Sequence, residues 1–220
     1  MVTRRALVGG AAIAGAIALL PDEAAYAASD PVNRWDAGFS ANGWPIAQAN
    51  ATDHRVTGST ATVALRPGIA AAVLLHVARR WHYEIAALDS HRGASITGFT
   101  TERTVAARFE SNYLSGTALA ICPTAYPVNG VEPMPPHLQT IIRDILADCE
   151  GTVAWGGDLK PAKASHFQID VPPRDARLRS VATRLDTRRH RRSSSQTAGA
   201  VADPAEANRR QLAHRWRRTG

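Results

Sequence analysis

Leu138, Ile141, Ile142, Ile145, Leu146 and Cys149 fall at i, i+3, i+4, i+7, i+8 and i+11, the spacing of one apolar face on an α-helix. A short way on, the period changes. From His166 to Val171 the chain alternates, with Phe167, Ile169 and Val171 on one face and His166, Gln168 and Asp170 on the other, before Pro172-Pro173 ends the run. That is a strand with one apolar side. Any fold for this chain must bury a helical stripe over about Pro136–Cys149 together with a one-sided strand.

The flanking sequence adds elements of the same two kinds. Thr60–Leu65 alternates as a short strand closed by Pro67-Gly68. Ile69, Val73, Val77 and Trp81 recur at helical spacing, which predicts a helix from Ile69 to about Trp81, with Arg79 and Arg80 on its solvent face near the C-terminal end. His76, at the edge of that stripe, reads as a structural side chain, and His82–Ile85 as the exit into a strand. Leu178, Val181 and Leu185 mark a last short helix. Ser29–Ser59, rich in Asn, Gly and Pro, reads as an irregular lead in which Trp35 and Trp44 are packing anchors.

Charge is confined to one end. From Thr187 to Gly220 nine arginines face only Asp203 and Glu206, so this tail carries the chain's whole net charge of +7. The tail lacks an apolar period and is expected to be disordered, apart from a basic amphipathic turn or two around Leu212 and Trp216. The basic pI therefore does not argue for specific nucleic-acid binding by the domain. At the other end, Arg4-Arg5 precede an apolar run from Ala6 to Leu20, with Ala25-Tyr26-Ala27 as a small-x-small cleavage site. These are the parts of a twin-arginine-like export signal over residues 1–27, with a general secretory signal as the other form. The run is short of the roughly 20 residues that span a bilayer, so no stable transmembrane anchor is expected. The expected location is secreted or cell envelope. In an exported chain the two cysteines, Cys122 and Cys149, are most simply one disulfide; the other use of Cys122 is as a metal thiolate.

Two segments carry a family resemblance. The first is Ser111-Asn112-Tyr113-Leu114-Ser115-Gly116-Thr117-Ala118-Leu119-Ala120. The second is Val153-Ala154-Trp155-Gly156-Gly157-Asp158-Leu159-Lys160 followed by Ser165-His166-Phe167-Gln168. Together they resemble the zinc D-Ala-D-Ala carboxypeptidase family, which includes vancomycin-resistance dipeptidases and L-alanyl-D-glutamate endolysins. That family's motifs are Ser-x-His-x-x-Gly-x-Ala-x-Asp and an acidic residue three before His-Phe-Glu. The likeness spans about residues 40 to 185. It implies a single α+β domain over 60–186, an antiparallel sheet with flanking helices, and cell-wall stem peptides as partners.

The family chemistry uses two histidines and a carboxylate on zinc, an open position for water, and a second carboxylate to move the proton. In this chain Tyr113 stands at the first histidine position, Ala120 at the aspartate and Lys163 at the base. His166 is retained, and Gln168 replaces the glutamate. Alanine has no donor atom, and a phenol with a pKa near 10 is a poor ligand. The resemblance further implies Arg103 as a carboxylate-binding arginine and Ser111, Gly116 and Thr117 as the substrate-side turn; a loop arginine on the surface is the plain reading of Arg103. Zinc is the family cofactor. The expectation is an exported, peptidoglycan-directed homologue that binds stem peptides with little or no cleavage, the basic tail touching anionic wall polymers. The alternative is an active metallopeptidase with a rearranged set, Tyr113, Cys122 and His166.

Overall fold

The longer helices and β8 form where the sequence period is clean, and the computed structural model describes residues 33–47, 51–89, 95–186 and 206–216. The export signal at 1–27, its cleavage point near Ala27 and the tail stretch 187–205 lie outside the described residues. In chain order the strands are β1 (Asn33–Arg34), β2 (Thr52–Arg55), β3 (Thr62–Leu65), β4 (Ile96–Thr97), β5 (Thr104–Val105), β6 (Ala118–Ile121), β7 (Val153–Trp155) and β8 (His166–Ile169). The helices are α1 (Ile69–Glu84), α2 (Ser111–Leu114), α3 (Pro136–Asp148), α4 (Ala176–Leu185) and α5 (Ala207–Arg215), with single 3-10 turns at Arg108–Glu110 and Gly156–Asp158. All strand pairing is antiparallel: a central sheet in the order β4-β6-β8-β7 and two small ribbons, β1-β5 and β2-β3. The chain is thus an α+β domain, as the mixed periods require.

The central sheet has one apolar side. Leu119, Ile121, Val153, Trp155, Phe167 and Ile169 face α1 and α3 and are all buried. Trp81 of α1 meets Phe167 edge-on, ring centroids 6.0 Å apart. From α3, Ile142, Ile145, Leu146 and Cys149 close the same core, and α4 lies along α1 through Leu178, Val181 and Ala182. Burying such side chains contributes about 1.5–3 kcal/mol each, which is why these stripes dominate the fold.

Several expectations need correction. Helix α1 does not give way to a strand after Trp81. It runs to Glu84, where Arg80 donates to Glu84 at 2.5 Å, one turn on. Arg80 is not on a solvent face: it is buried and also reaches Asp144 at 2.8 Å and Asp148 at 2.9 Å on α3. The lead is not wholly irregular, since it supplies β1 and β2, and Trp44 is buried with its indole N–H on the Val171 carbonyl at 2.9 Å. Trp35 stays half-buried, its indole N–H bonding only locally, to Phe39 O.

The expected disulfide is absent: Cys122 and Cys149 are both free thiols. Topology supplies the reason. Strands β6 and β7 both run antiparallel to β8 and so run parallel to each other. Cys122 follows the C-terminal end of β6, whereas Cys149 precedes the N-terminal end of β7, so the two sit at opposite ends of the sheet. Four strand residues separate those ends by about 13 Å, well beyond the roughly 7 Å limit between bridged Cα atoms.

The tail is also not uniformly without structure. Helix α5 packs on α3, with Arg209 on Asp144 at 2.6 Å and on Asp148 at 2.9 Å. Trp216 lies against Gly151, where a Cβ would come within 2.5 Å of its ring. Among the described residues no helix is long and apolar enough to cross a membrane.

Candidate functional site

The second face of the central sheet carries the residues singled out from the motifs. Ala120 pairs with His166 across β6 and β8, and Ala118 and Ala154 flank Gln168. Paired residues share a face, so three alanines leave room for one imidazole and one amide. The Arg108–Glu110 turn and α2 roof this face, bringing the Phe109 and Tyr113 rings to 4.7 and 5.1 Å from the His166 ring. Gly116, at φ 68°, turns the chain from α2 into β6 so closely under the β3–α1 corner that a Cβ would lie 2.7 Å from Arg66 N.

Every polar group in this pocket is spent on another. Gln168 donates Nε2 to Asp170 Oδ1 at 3.2 Å, which fixes the amide orientation. Its Oε1 then accepts from Asn112 Nδ2 at 2.7 Å and from His166 Nε2 at 2.9 Å. His166 Nδ1 is left as an acceptor and takes the Tyr113 hydroxyl at 2.7 Å. At the mouth, Lys163 Nζ pairs with Glu110 at 2.7 Å and lies 5.1 Å from the Tyr113 ring centroid.

Electrostatics agree with a closed, neutral pair. Burial pushes the His166 pKa down to about 4, helped by the Lys163 charge and only partly opposed by the bond to Gln168. Burial, then the Glu110 charge, pushes the Tyr113 phenol well above its usual range. Burial would raise Glu110, but the bond and charge of Lys163 outweigh it and hold the carboxyl low. At neutral pH the assembly is a phenol, a neutral imidazole, two amides and one ion pair.

These residues do not fit zinc. A three-ligand site needs free lone pairs converging on one point. Here the His166 lone pair holds the Tyr113 proton, Ala120 has no donor, and Lys163 brings an ammonium group to the mouth. Cys122 does not complete the set. It ends β6 in a left-handed conformation at φ 52°, its amide bonded to Ser95 O, and burial raises its thiol pKa.

Motif spacing does bring Tyr113, Ala120, Lys163, His166 and Gln168 to one place. It does not do so for the substrate-side residues. Ser111, Gly116 and Thr117 are buried, with Ser111 Oγ accepting from Ala41 N and Thr117 Oγ1 from Asn42 Nδ2, both at 2.9 Å. They clamp the lead to the sheet and cannot touch a ligand. Arg103 likewise donates to the Trp35 carbonyl at 2.8 Å and holds β1 beside β5. Sequence reading missed Glu110, Asn112 and Phe109. For Glu110 there was a signal, since a carboxylate next to the first motif is a natural partner for a lysine three residues before His166.

The residues on either side of Lys163 line a groove of about 320 Å3. Lys163 turns toward Glu110, while its neighbours Ala162 and Ala164 form one wall. Tyr126, Met134 and Trp155 supply apolar surface, and Arg143 binds Asp158 through both guanidinium nitrogens and lies 4.7 Å from the Trp155 ring centroid. The Trp155–Asp158 turn therefore shapes the groove floor. No family model, no curated protein and no solved structure matches the chain.

Proposed function

We propose that this chain is an exported, peptidoglycan-directed relative of the zinc D-Ala-D-Ala carboxypeptidases that holds stem peptides without cleaving them. One observation carries the reading: Tyr113, Ala120, Lys163 and His166, the four positions where the resemblance puts ligands and base, come together at one sheet face, where Tyr113 bonds His166, Ala120 pairs with His166 across the strands and Lys163 lies over the Tyr113 ring. Chance motif matches have no reason to converge in space. The metal chemistry is replaced by packing: a Tyr–His pair fills the position of a metal, and the Lys163–Glu110 pair seals its mouth. Peptide binding falls to the groove beyond Ala162 and Ala164, where the aromatic surface and the charge-neutral Arg143–Asp158 pair suit a peptide backbone. The Arg188–Arg192 run of the tail adds a salt-sensitive contact to anionic wall polymers.

The test uses the full chain with muropeptides ending in D-Ala-D-Ala. Saturable binding that weakens in Tyr126→Ala, with no D-alanine released, is the expected result. Release of D-alanine that disappears in His166→Ala would overturn the non-catalytic reading. Absence of binding would sink the wall-directed one.

A further inference from the structure

Helix α1 has two working faces. Ala70, Val73, Leu74, Val77 and Trp81 face the central sheet. Ala72, Leu75, His76 and Arg79 face away from it, into a groove of about 300 Å3 closed by β2 and α4. The groove lies across α1 from the Tyr113–His166 face and is independent of the function proposed for that face.

Among the described residues, two arginines in its lining stand without a carboxylate partner. Arg80, Arg143, Arg177, Arg184 and Arg209 each pair with a carboxylate. Arg79 and Arg55, which both line the groove, have no carboxylate within 4.0 Å among the described residues. Arg55 uses its Nε on Ser59 O at 2.7 Å. Arg79 is half-buried and uses one N–H on His76 Nδ1 at 3.0 Å. Because arginine only donates, that bond makes His76 Nδ1 an acceptor. The His76 proton is then on Nε2, 3.0 Å from Asp148 Oδ2, and the ring is neutral. His76 therefore positions the guanidinium without neutralising it. Burial and the neighbouring Arg80 both disfavour the Arg79 charge, a cost that a bound anion would relieve.

The remaining lining narrows the ligand. Ala72 and Leu75 form an apolar floor, while Thr183 of α4 offers a hydroxyl group on the opposite rim. A bare anion would leave most of this volume empty. We infer that the α1–α4–β2 groove binds a small phosphate monoester with a hydroxylated body, its phosphoryl oxygens on the Arg79 and Arg55 guanidinium groups. Two unpaired guanidinium groups match a dianion, and the planar fork of each suits phosphoryl oxygens. Thr183 takes a hydroxyl group of the body.

Titration calorimetry of the full chain at constant ionic strength tests this, with glycerol 3-phosphate, inorganic phosphate and propionate as probes. Glycerol 3-phosphate is expected to bind saturably at one site, and more tightly than inorganic phosphate or propionate. Arg79→Gln should weaken it by roughly tenfold or more. Thr183→Trp, on an exposed helix position, should block the groove while leaving both arginines in place. Arg79→Lys keeps the charge and loses the fork, so it should bind weakly with an unchanged melting temperature. No saturable binding would overturn the inference. So would equal affinity in wild type, Arg79→Gln and Thr183→Trp, which would move the anion to the arginine-rich tail. Tighter binding of propionate than of glycerol 3-phosphate would overturn the phosphate assignment.

Discussion

A single hydroxyl decides whether the buried imidazole is satisfied. His166 is fully buried, and its Nδ1 accepts only the Tyr113 O–H. Tyr113→Phe keeps the ring packing and strands that acceptor, so it should cost about 1–3 kcal/mol in denaturant unfolding at pH 7. The same imidazole makes stability depend on pH. It titrates at about 4 in the folded chain and near the ordinary histidine value of 6.5 when unfolded, so between those values the unfolded chain binds the extra proton. Stability should therefore rise as pH increases from about 4 to 6.5 and flatten above, by up to about 3 kcal/mol. His76 is shifted in the same direction, by burial first, so the His166 share is read from His166→Asn, which should reduce the slope over that window. An unchanged slope in that variant would show that another group controls the acid limb.

At the scale of elements, α1, α3 and α5 are joined by one charge network. Arg80 holds Glu84, Asp144 and Asp148, while Arg209 reaches the last two from the other side. The Asp144 side chain is only 2% exposed. Removing Arg80 leaves three carboxylates with one guanidinium between them, and Arg80→Ala should cost about 3–5 kcal/mol. Arg209→Ala should cost less, about 1 kcal/mol, because Arg80 still compensates both aspartates. The double variant should then lose more than the sum of the two, and thermal or denaturant unfolding of all four chains gives the coupling directly. This network also marks the limit of what the sequence conveyed. The stripes of α1, α3 and β8 were legible because their apolar periods are local. Arg80 was misread because its aspartates lie 64 and 68 residues away, and only Glu84, at i+4, hinted at an inward role. Strands β6 and β7 left little trace: Ala118–Ile121 and Val153–Trp155 are buried on both faces, so they never alternate.

For the molecule as a whole, the lead around Asn42 and Trp44 and the helix at Ala207–Arg215 both pack on the domain. Asn42 and Trp44 of the lead bond to Thr117, Ile169 and Val171, and α5 docks on α3. Deleting residues 187–220 should therefore lower the melting temperature by several degrees, roughly 2–4 °C for each kcal/mol lost in a domain of this size, as read by calorimetry. An unchanged melting temperature would mean that α5 contributes nothing in solution. The convergence of Tyr113, Ala120, Lys163 and His166 was legible because the spacing within the two segments sets which residues meet. Its closure was not, because the partners Glu110 and Asn112 carry no motif of their own. The clamp role of Ser111 and Thr117 was hidden for the same reason: their partners lie some 70 residues earlier, in a segment with no periodic signal.

The docking of α5 through Arg209 sets an order in time. Arg209 is separated from Asp148 by 61 positions, so a ribosome working at about 5–20 residues per second delivers it roughly 3–12 s later. Strands β7 and β8 follow Asp148, so α1, α3 and the central sheet are all made once Ile169 has been added, and from then until Arg209 arrives Arg80 alone faces Asp144 and Asp148. The nascent domain is therefore assembled before its last counter-charge arrives, and a stall in the final stretch of translation would leave an acidic patch on α3 uncovered.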